Sequence, residues 1–137
     1  MVRNILAVIA GIVVGGIVNM AIVTFGPAII PPPAGADLTT AEGLKAAMPL
    51  METKHFIAPF AAHALGTLVG ALTAALIAVG SKTTLAMIVG GFFLLGGIAA
   101  CLMIPAPMWF IALDLIVAYI PMAWIGAKLG GAGKAAG

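Results

Sequence analysis

Two ionisable side chains, His63 and Asp114, lie deep inside long apolar stretches of this sequence. A charge at the centre of a bilayer costs about 3 kcal/mol on insertion scales, so a buried aspartate is expected to face inward and to find a partner. A carboxylate beside an imidazole favours the imidazolium, while burial opposes both charges, so the pair can titrate near neutral pH. The pair therefore predicts either a proton-titrating site or a hydrogen-bonded clip that fixes the register of two helices.

A third polar side chain, Asn19, lies inside an apolar run near the N-terminus. Counted inward along antiparallel helices, Asn19, His63 and Asp114 all lie roughly 9–12 Å from the same interface, at about 1.5 Å per residue. We therefore expect these three side chains to form one buried polar cluster, which Tyr119 could join from elsewhere on the last helix. Glu52, Lys54 and His55 precede the helix of His63 in a dense ionisable run, and we expect this run at the outer mouth of the cluster.

Other site chemistries have weaker support. His55 and His63 are eight residues apart on one helix and cannot ligate the same haem iron from both sides. No set of spaced metal ligands is present, and no serine or cysteine has a base beside it in the pattern. We predict no cofactor, no metal and no catalytic residue. An enzyme acting on lipid or quinone would need a lateral opening near His63, with Glu52 or His55 as acid or base. Enzymatic activity thus stays open but is disfavoured.

The composition predicts that this chain lies in a lipid bilayer. Of its 137 residues, 64% are hydrophobic and 7% are charged, which is too little polar surface to cover a water-soluble globule. Apolar segments of about 20 residues cross a bilayer as helices, because backbone polar groups in lipid must be satisfied within the segment. We predict an all-α integral membrane protein, one domain over residues 1–137, built as a four-helix transmembrane bundle. The expected spans are about 4–26, 56–79, 84–104 and 108–128.

The outer loop, residues 27–55, is predicted to carry a short amphipathic helix. Three prolines at 31–33 make a stiff connector, and Thr39 with Glu42 three residues later forms a capping-box pattern. The helix is expected over residues 40–48, ending at Pro49 and lying at the membrane surface or over the bundle.

Small residues predict the helix contacts. Gly11, Gly15 and Asn19 recur every four residues, and Gly66 and Gly70 follow His63 on the next span. Such spacing lets two backbones approach closely where lipid gives no reward for burying leucine. We expect these four glycines to line helix interfaces.

The cations predict the orientation. Arg3, Lys82, Lys128 and Lys134 fall on one side of the predicted spans, so both termini are expected in the cytoplasm and residues 27–55 outside. The N-terminal apolar run is longer than a signal peptide requires, and we count it as the first span. The cations are scattered over the connections, which disfavours a nucleic-acid partner. Cys101 is a single cysteine in an apolar run, so no disulfide framework is expected.

Two stretches carry a resemblance. The run ETKHFIAPFAAHALGTLVGALTA at 52–74 and the run from Pro105 to Met122 are similar to those of small four-span bacterial inner-membrane proteins to which no activity is assigned. The resemblance implies a free-standing, multi-pass protein of the bacterial cytoplasmic membrane. It carries no catalytic residue over to this chain.

These observations leave two functions open. The first is a small integral membrane protein that acts in the lipid bilayer through helix packing, either as a homo-oligomer or as an accessory subunit of a larger membrane complex. The alternative is a proton-coupled small carrier or pore that uses His63 and Asp114 as a titrating pair. Four short, glycine-rich helices enclose little volume, so a transport path is expected to need at least two protomers.

Overall fold

Every regular element in the described part of the chain, residues 1–133 of the computed structural model, is a helix. Four of the helical segments are long and apolar enough to cross a membrane, and the last of these is divided in two. The all-α prediction is confirmed for these residues. The helices are α1 (Val2–Ile29), α2 (Ala41–Ala47), α3 (Ile57–Ile77), α4 (Lys82–Met103), α5 (Met108–Val117) and α6 (Ile120–Leu129), with short 3-10 helices at Met48–Leu50 and Thr53–Phe56.

The apolar side chains are distributed opposite to those of a water-soluble bundle. The core is built mainly of alanine, whereas large side chains such as Ile17, Phe25, Leu95 and Leu102 point outward. In an apolar solvent the burial of leucine brings no gain, and close contact between small residues holds helices together instead. This distribution is the one expected of a bundle surrounded by lipid.

Helix α3 is the central element, and its closest partner is the antiparallel helix α1. A Cβ added at Gly11 would lie 2.6 Å from the carbonyl oxygen of Gly70, and one added at Gly15 would lie 2.5 Å from that of Gly66. The added atom would therefore overlap the facing backbone. All four predicted glycines thus face one another inside the chain, with Ala7 and Ala74 buried along the same contact.

Helix α6 packs on another side of α3 and also against α4, while α1 and α6 lie on opposite sides of the α3–α4 pair. A Cβ at Gly126 would lie 2.6 Å from the carbonyl oxygen of Leu68, and one at Gly90 would overlap the methyl group of Ala123. Small residues therefore set the spacing of this second contact as well. It fixes the register of α6 against α3, which positions the site described below.

Two cations, Arg3 and Lys82, cap the C-termini of neighbouring helices. Arg3 Nε donates to the carbonyl of Ile77 at 2.7 Å, and Lys82 Nζ donates to the carbonyl of Gly130 at 2.9 Å. Both acceptors lie at helix C-termini, where unpaired carbonyls and the helix dipole favour a positive charge. We call this end of the bundle the terminal end. Lys134, which the sequence groups with these cations, lies outside the described residues.

The opposite end carries residues 30–56 and is called the loop end. Helix α2 is present, but the predicted capping box of Thr39 and Glu42 does not form: Thr40 is the N-cap, and its hydroxyl accepts from the backbone N–H of Gly43 at 3.0 Å. Thr39 is engaged instead with Asp37, whose carboxylate accepts both the hydroxyl and the backbone N–H of Thr39. These hydrogen bonds, the hydroxyl's first, lower the pKa of Asp37 below its usual value.

Two prolines, Pro27 and Pro121, have different effects on the helical segments that contain them. The first span continues through Gly26 and Pro27 to Ile29 and stops before Pro31, because a residue that precedes proline is pushed out of the helical region. The fourth span is interrupted at Ala118–Tyr119, and Pro121 lies in the first turn of α6. Without an N–H, Pro121 cannot bond back to the carbonyl four residues earlier. The interruption falls at the middle of the 22-residue segment Met108–Leu129.

Candidate functional site

His63 on α3 and Asp114 on α5 are in direct contact. The Nδ1 atom of His63 lies 2.9 Å from Oδ1 and 3.0 Å from Oδ2 of Asp114, which is hydrogen-bond distance to both carboxylate oxygens. The Asp114 side chain is 2% exposed and the His63 side chain 26% exposed. The carboxylate is therefore enclosed by protein, whereas the imidazole reaches from the core to the surface of the bundle.

Tyr119 completes the site as a third member. Its hydroxyl donates to Oδ2 of Asp114 at 2.9 Å, and its ring stacks on the imidazole of His63 with centroids 5.8 Å apart. On a continuous helix, residues five apart lie about 140° apart around the axis and do not face the same neighbour. The interruption at Ala118–Tyr119 brings the two side chains to one side. We call His63, Asp114 and Tyr119 the triad.

The contacts of Asp114 link its charge to the tautomer of His63. Asp114 accepts from the hydroxyl of Tyr119, and where its carboxylate is ionised the Nδ1 atom that faces it carries a proton. In the neutral ring Nε2 is then a free acceptor. Among the described residues no hydrogen bond engages Nε2, and this atom is not fully buried. The triad thus leaves one ring nitrogen unpaired, with a buried carboxylate on the other side of the ring.

The walls of the site are apolar except for one thiol. A Cβ at Gly97 on α4 would overlap the hydroxyl of Tyr119, so glycine at this position makes room for the triad. Cys101, half-buried, lies one turn further along the same side of α4. Phe60, Phe93 and other apolar side chains pack around Tyr119.

Asn19 does not belong to the triad, and the predicted cluster needs correction here. Its Cβ lies against Gly66, at nearly the depth of His63, in the contact between α1 and α3. No hydrogen bond among residues 1–133 joins its amide to His63 or Asp114. The predicted cluster of three does not form, because α1 and α5 are not neighbours and Asn19 faces the α1–α3 contact.

The ionisable run before α3 forms a local cap. The backbone N–H of Glu52 donates to Nδ1 of His55 at 2.8 Å, and Lys54 lies 3.3 Å from the carboxylate of Glu52. The side chain of Glu52 in turn accepts from the backbone N–H of His55, and this capping box begins the 3-10 helix Thr53–Phe56. The Lys54 and Glu52 side chains are 55% and 69% exposed, respectively. The three residues lie at the loop end, as the position of an outer mouth requires, but they bind one another and not the triad.

Helix α5 is held at two places. Near its centre the triad joins it to α3, and at the loop end Phe56 packs against Phe110 and Trp109, with ring centroids 4.8 and 5.3 Å apart. Beyond Val117 the chain turns and continues as α6.

Within residues 1–133, no group of three or more histidine, cysteine, aspartate or glutamate side chains is gathered closely enough to hold a metal ion. The contacts that join the triad are hydrogen bonds to the carboxylate of Asp114. Comparison of the chain with protein-family models, with curated proteins and with solved structures found no match.

Proposed function

We propose that this chain is a multi-pass protein of the bacterial cytoplasmic membrane, with both termini in the cytoplasm and residues 30–56 outside. Four apolar helices and an outward-facing apolar surface support the membrane assignment. The cations Arg3, Lys82 and Lys128 all belong to the terminal end, which supports the orientation under the positive-inside rule.

We propose further that its function is proton-coupled transport, as a small carrier or pore, with the triad as the titrating site. The observation that carries this proposal is the open Nε2 atom of His63, backed by the buried carboxylate of Asp114. A purely structural clip would need only Nδ1, and it would be better enclosed if the rest of the ring were buried. The accessible second nitrogen is what a proton acceptor requires.

The triad suggests a simple cycle. A proton arriving at Nε2 converts His63 to imidazolium, whose charge is balanced by Asp114. The hydroxyl of Tyr119 keeps one carboxylate oxygen engaged as a hydrogen-bond acceptor in both states. When the proton leaves from Nε2, the neutral ring returns to its starting tautomer. Coupling to a second solute, or passage of protons alone, would then follow from rearrangement at the interrupted helix between α5 and α6.

The volume available argues for more than one protomer. Alanine and glycine fill the contacts among α1, α3, α4 and α6, leaving α3 closely packed on three sides. We therefore propose that the transport path lies between copies of the chain, against the open side of His63.

Proton flux in proteoliposomes tests this proposal. Purified protein is reconstituted with a pH-sensitive dye inside the vesicles, and an imposed potential drives protons inward. We expect a proton flux from the wild-type protein that His63→Gln and Asp114→Asn each abolish. His55→Gln, which changes the other histidine of the chain, should leave the flux unchanged. The absence of flux from the wild-type protein, or equal flux from all four proteins, contradicts the proposal.

A second candidate, helix packing with copies of the chain or with a larger membrane complex, has its own support. The glycines Gly11, Gly15, Gly66 and Gly70 are used inside the chain, so they leave no surface for a partner. Gly91 and Gly96 on α4, however, have open space where a Cβ would be. If the mild-detergent extract contains a stable larger complex, and Gly96→Leu dissolves it without unfolding the chain, packing is the primary role.

A further inference from the structure

His55 closes the cap at the start of the 3-10 helix Thr53–Phe56 with its side chain. The backbone N–H of Glu52 donates to Nδ1 of the imidazole at 2.8 Å, while the Glu52 side chain accepts from the backbone N–H of His55. A capping box normally has glutamate or glutamine at this position, and their oxygen atoms accept at neutral and acid pH alike. An imidazole nitrogen accepts only while it carries no proton. Histidine titrates between about pH 5 and 8, so this cap depends on pH.

Protonation adds the new hydrogen to the atom that the cap uses. A neutral ring that accepts at Nδ1 already carries its hydrogen on Nε2, so the second proton goes to Nδ1. The N–H of Glu52 and the new N–H of His55 would then face each other across 2.8 Å, and the ring must turn away. The imidazolium would also put a positive charge at the N-terminus of a helix, where the helix dipole is unfavourable for cations. Acid therefore removes this hydrogen bond.

The charges nearby do not restore the cap. Its other ionisable side chains are Glu52 and Lys54, which lie 3.3 Å apart. An imidazolium that turned toward the Glu52 carboxylate would leave the backbone N–H of Glu52 without its acceptor, so the cap opens in that case too. Among residues 1–133, no hydrogen bond or ion pair joins His55 to Glu42 or Lys45 of α2. The α5 side chains packed against the next residue are aromatic and uncharged.

The residue after His55 holds the loop end of α5. Phe56 is 5% exposed, and its ring centroid lies 4.8 Å from that of Phe110 and 5.3 Å from that of Trp109. The triad, which joins α5 to α3 near its centre, responds differently to acid. An imidazolium at His63 still donates from Nδ1 to Asp114, so protonation does not break that contact. Acid thus weakens the attachment of α5 at the loop end and keeps the central one.

We propose that His55 is a pH-sensitive switch at the loop end of the bundle: its protonation in acid opens the cap at Glu52 and releases Phe56 from Trp109 and Phe110. Neither contact includes a member of the triad. The switch is therefore independent of proton-coupled transport, and a failure of the flux test leaves it standing.

Two readouts on the full-length protein in detergent micelles, at about pH 8 and about pH 5, test the switch. Amide exchange, divided by the intrinsic rate at each pH, gives the protection of the Glu52 N–H, and fluorescence of Trp109 in a Trp124→Phe background follows the aromatic contact. We expect the wild-type protection to fall about tenfold in acid, with a shift of Trp109 emission over the same pH range. His55→Gln should keep its protection at both pH values, because glutamine accepts the same bond without titrating. His55→Ala should have weak protection at both.

Each remaining outcome counts against a defined part of the proposal. Equal wild-type protection at both pH values overturns it, and so does an acid loss in His55→Gln as large as in the wild type, which assigns the titration to Glu52. Loss of protection without a change in Trp109 emission overturns the release of Phe56. Both responses to acid should persist in His63→Gln, and their disappearance would assign them to the triad. Above the titration range, His55→Gln has the same closed cap as the wild type, so it remains the matched control for proton flux.

Discussion

Replacement of Gly15 by alanine tests the close contact between α1 and α3. The new Cβ would lie 2.5 Å from the carbonyl oxygen of Gly66 and 2.8 Å from the ring of Phe93, whereas ordinary contact begins at 3.4 Å. The helices must therefore move apart by about 0.9 Å at this level. Overpacking of this kind costs about 1–3 kcal/mol, and a backbone obstacle places the cost at the upper end. Alanine returns about 1 kcal/mol of helix propensity, so we expect a net loss of about 2 kcal/mol.

The neighbouring residue provides the matched control. A Cβ at Gly16 meets nothing within 4 Å, so Gly16→Ala makes the same change in propensity without a clash. Unfolding of both variants in detergent micelles, followed by circular dichroism against a denaturant, gives their free energies of unfolding. We expect Gly16→Ala to be as stable as the wild type or more stable. If Gly15→Ala proves at least as stable as Gly16→Ala, the α1–α3 packing described above is wrong.

Three further changes have defined outcomes. Gly97→Ala should displace the hydroxyl of Tyr119 from Asp114 and abolish proton flux while helix content, read by circular dichroism, is retained. Lys82→Met removes the ammonium from the α6 C-terminus and should lower stability by about 0.5–1 kcal/mol in thermal unfolding. The pKa of Asp37 is lowered in the fold, so its contribution to the loop is present above its ordinary pKa and is lost as pH falls through the lowered value. Amide exchange at Thr39 should accordingly gain an acid-dependent opening that Asp37→Asn lacks.

The four long apolar helices could be predicted because their length and composition depend only on local residues. Bilayer thickness and backbone satisfaction fix the number of apolar residues, and the observed helices begin and end close to the expected positions. The extension of α1 to Ile29 and the division of the last helical segment were harder to predict from the sequence. Both depend on how a proline is accommodated by its neighbours, and Pro27 and Pro121 have opposite outcomes in one chain.

The site shows what depth alone can and cannot predict. The rise per residue along a helix puts His63 and Asp114 at similar positions along their helices, and a buried acid, which is costly in a bilayer, needs a partner. The contact between these two side chains could therefore be predicted from the sequence. Asn19 lies beside Gly66 but faces the α1–α3 contact, and a count of residues along a helix does not reveal that direction. Tyr119 reaches Asp114 only because the helix is interrupted, and Pro121 was the sequence signal for that interruption.

The tautomers of the two histidines test the central claim most directly. Nδ1 of His55 accepts the backbone N–H of Glu52, so the neutral ring carries its proton on Nε2, whereas the proposed triad places the proton of neutral His63 on Nδ1, toward Asp114. Nitrogen-15 NMR of histidine-labelled protein in lipid, with His55→Gln for assignment, distinguishes the two forms. We predict opposite tautomers at alkaline pH, and a proton added at Nε2 of His63 as the pH falls. A neutral His63 protonated on Nε2 would contradict the triad and the proton-coupled function built on it.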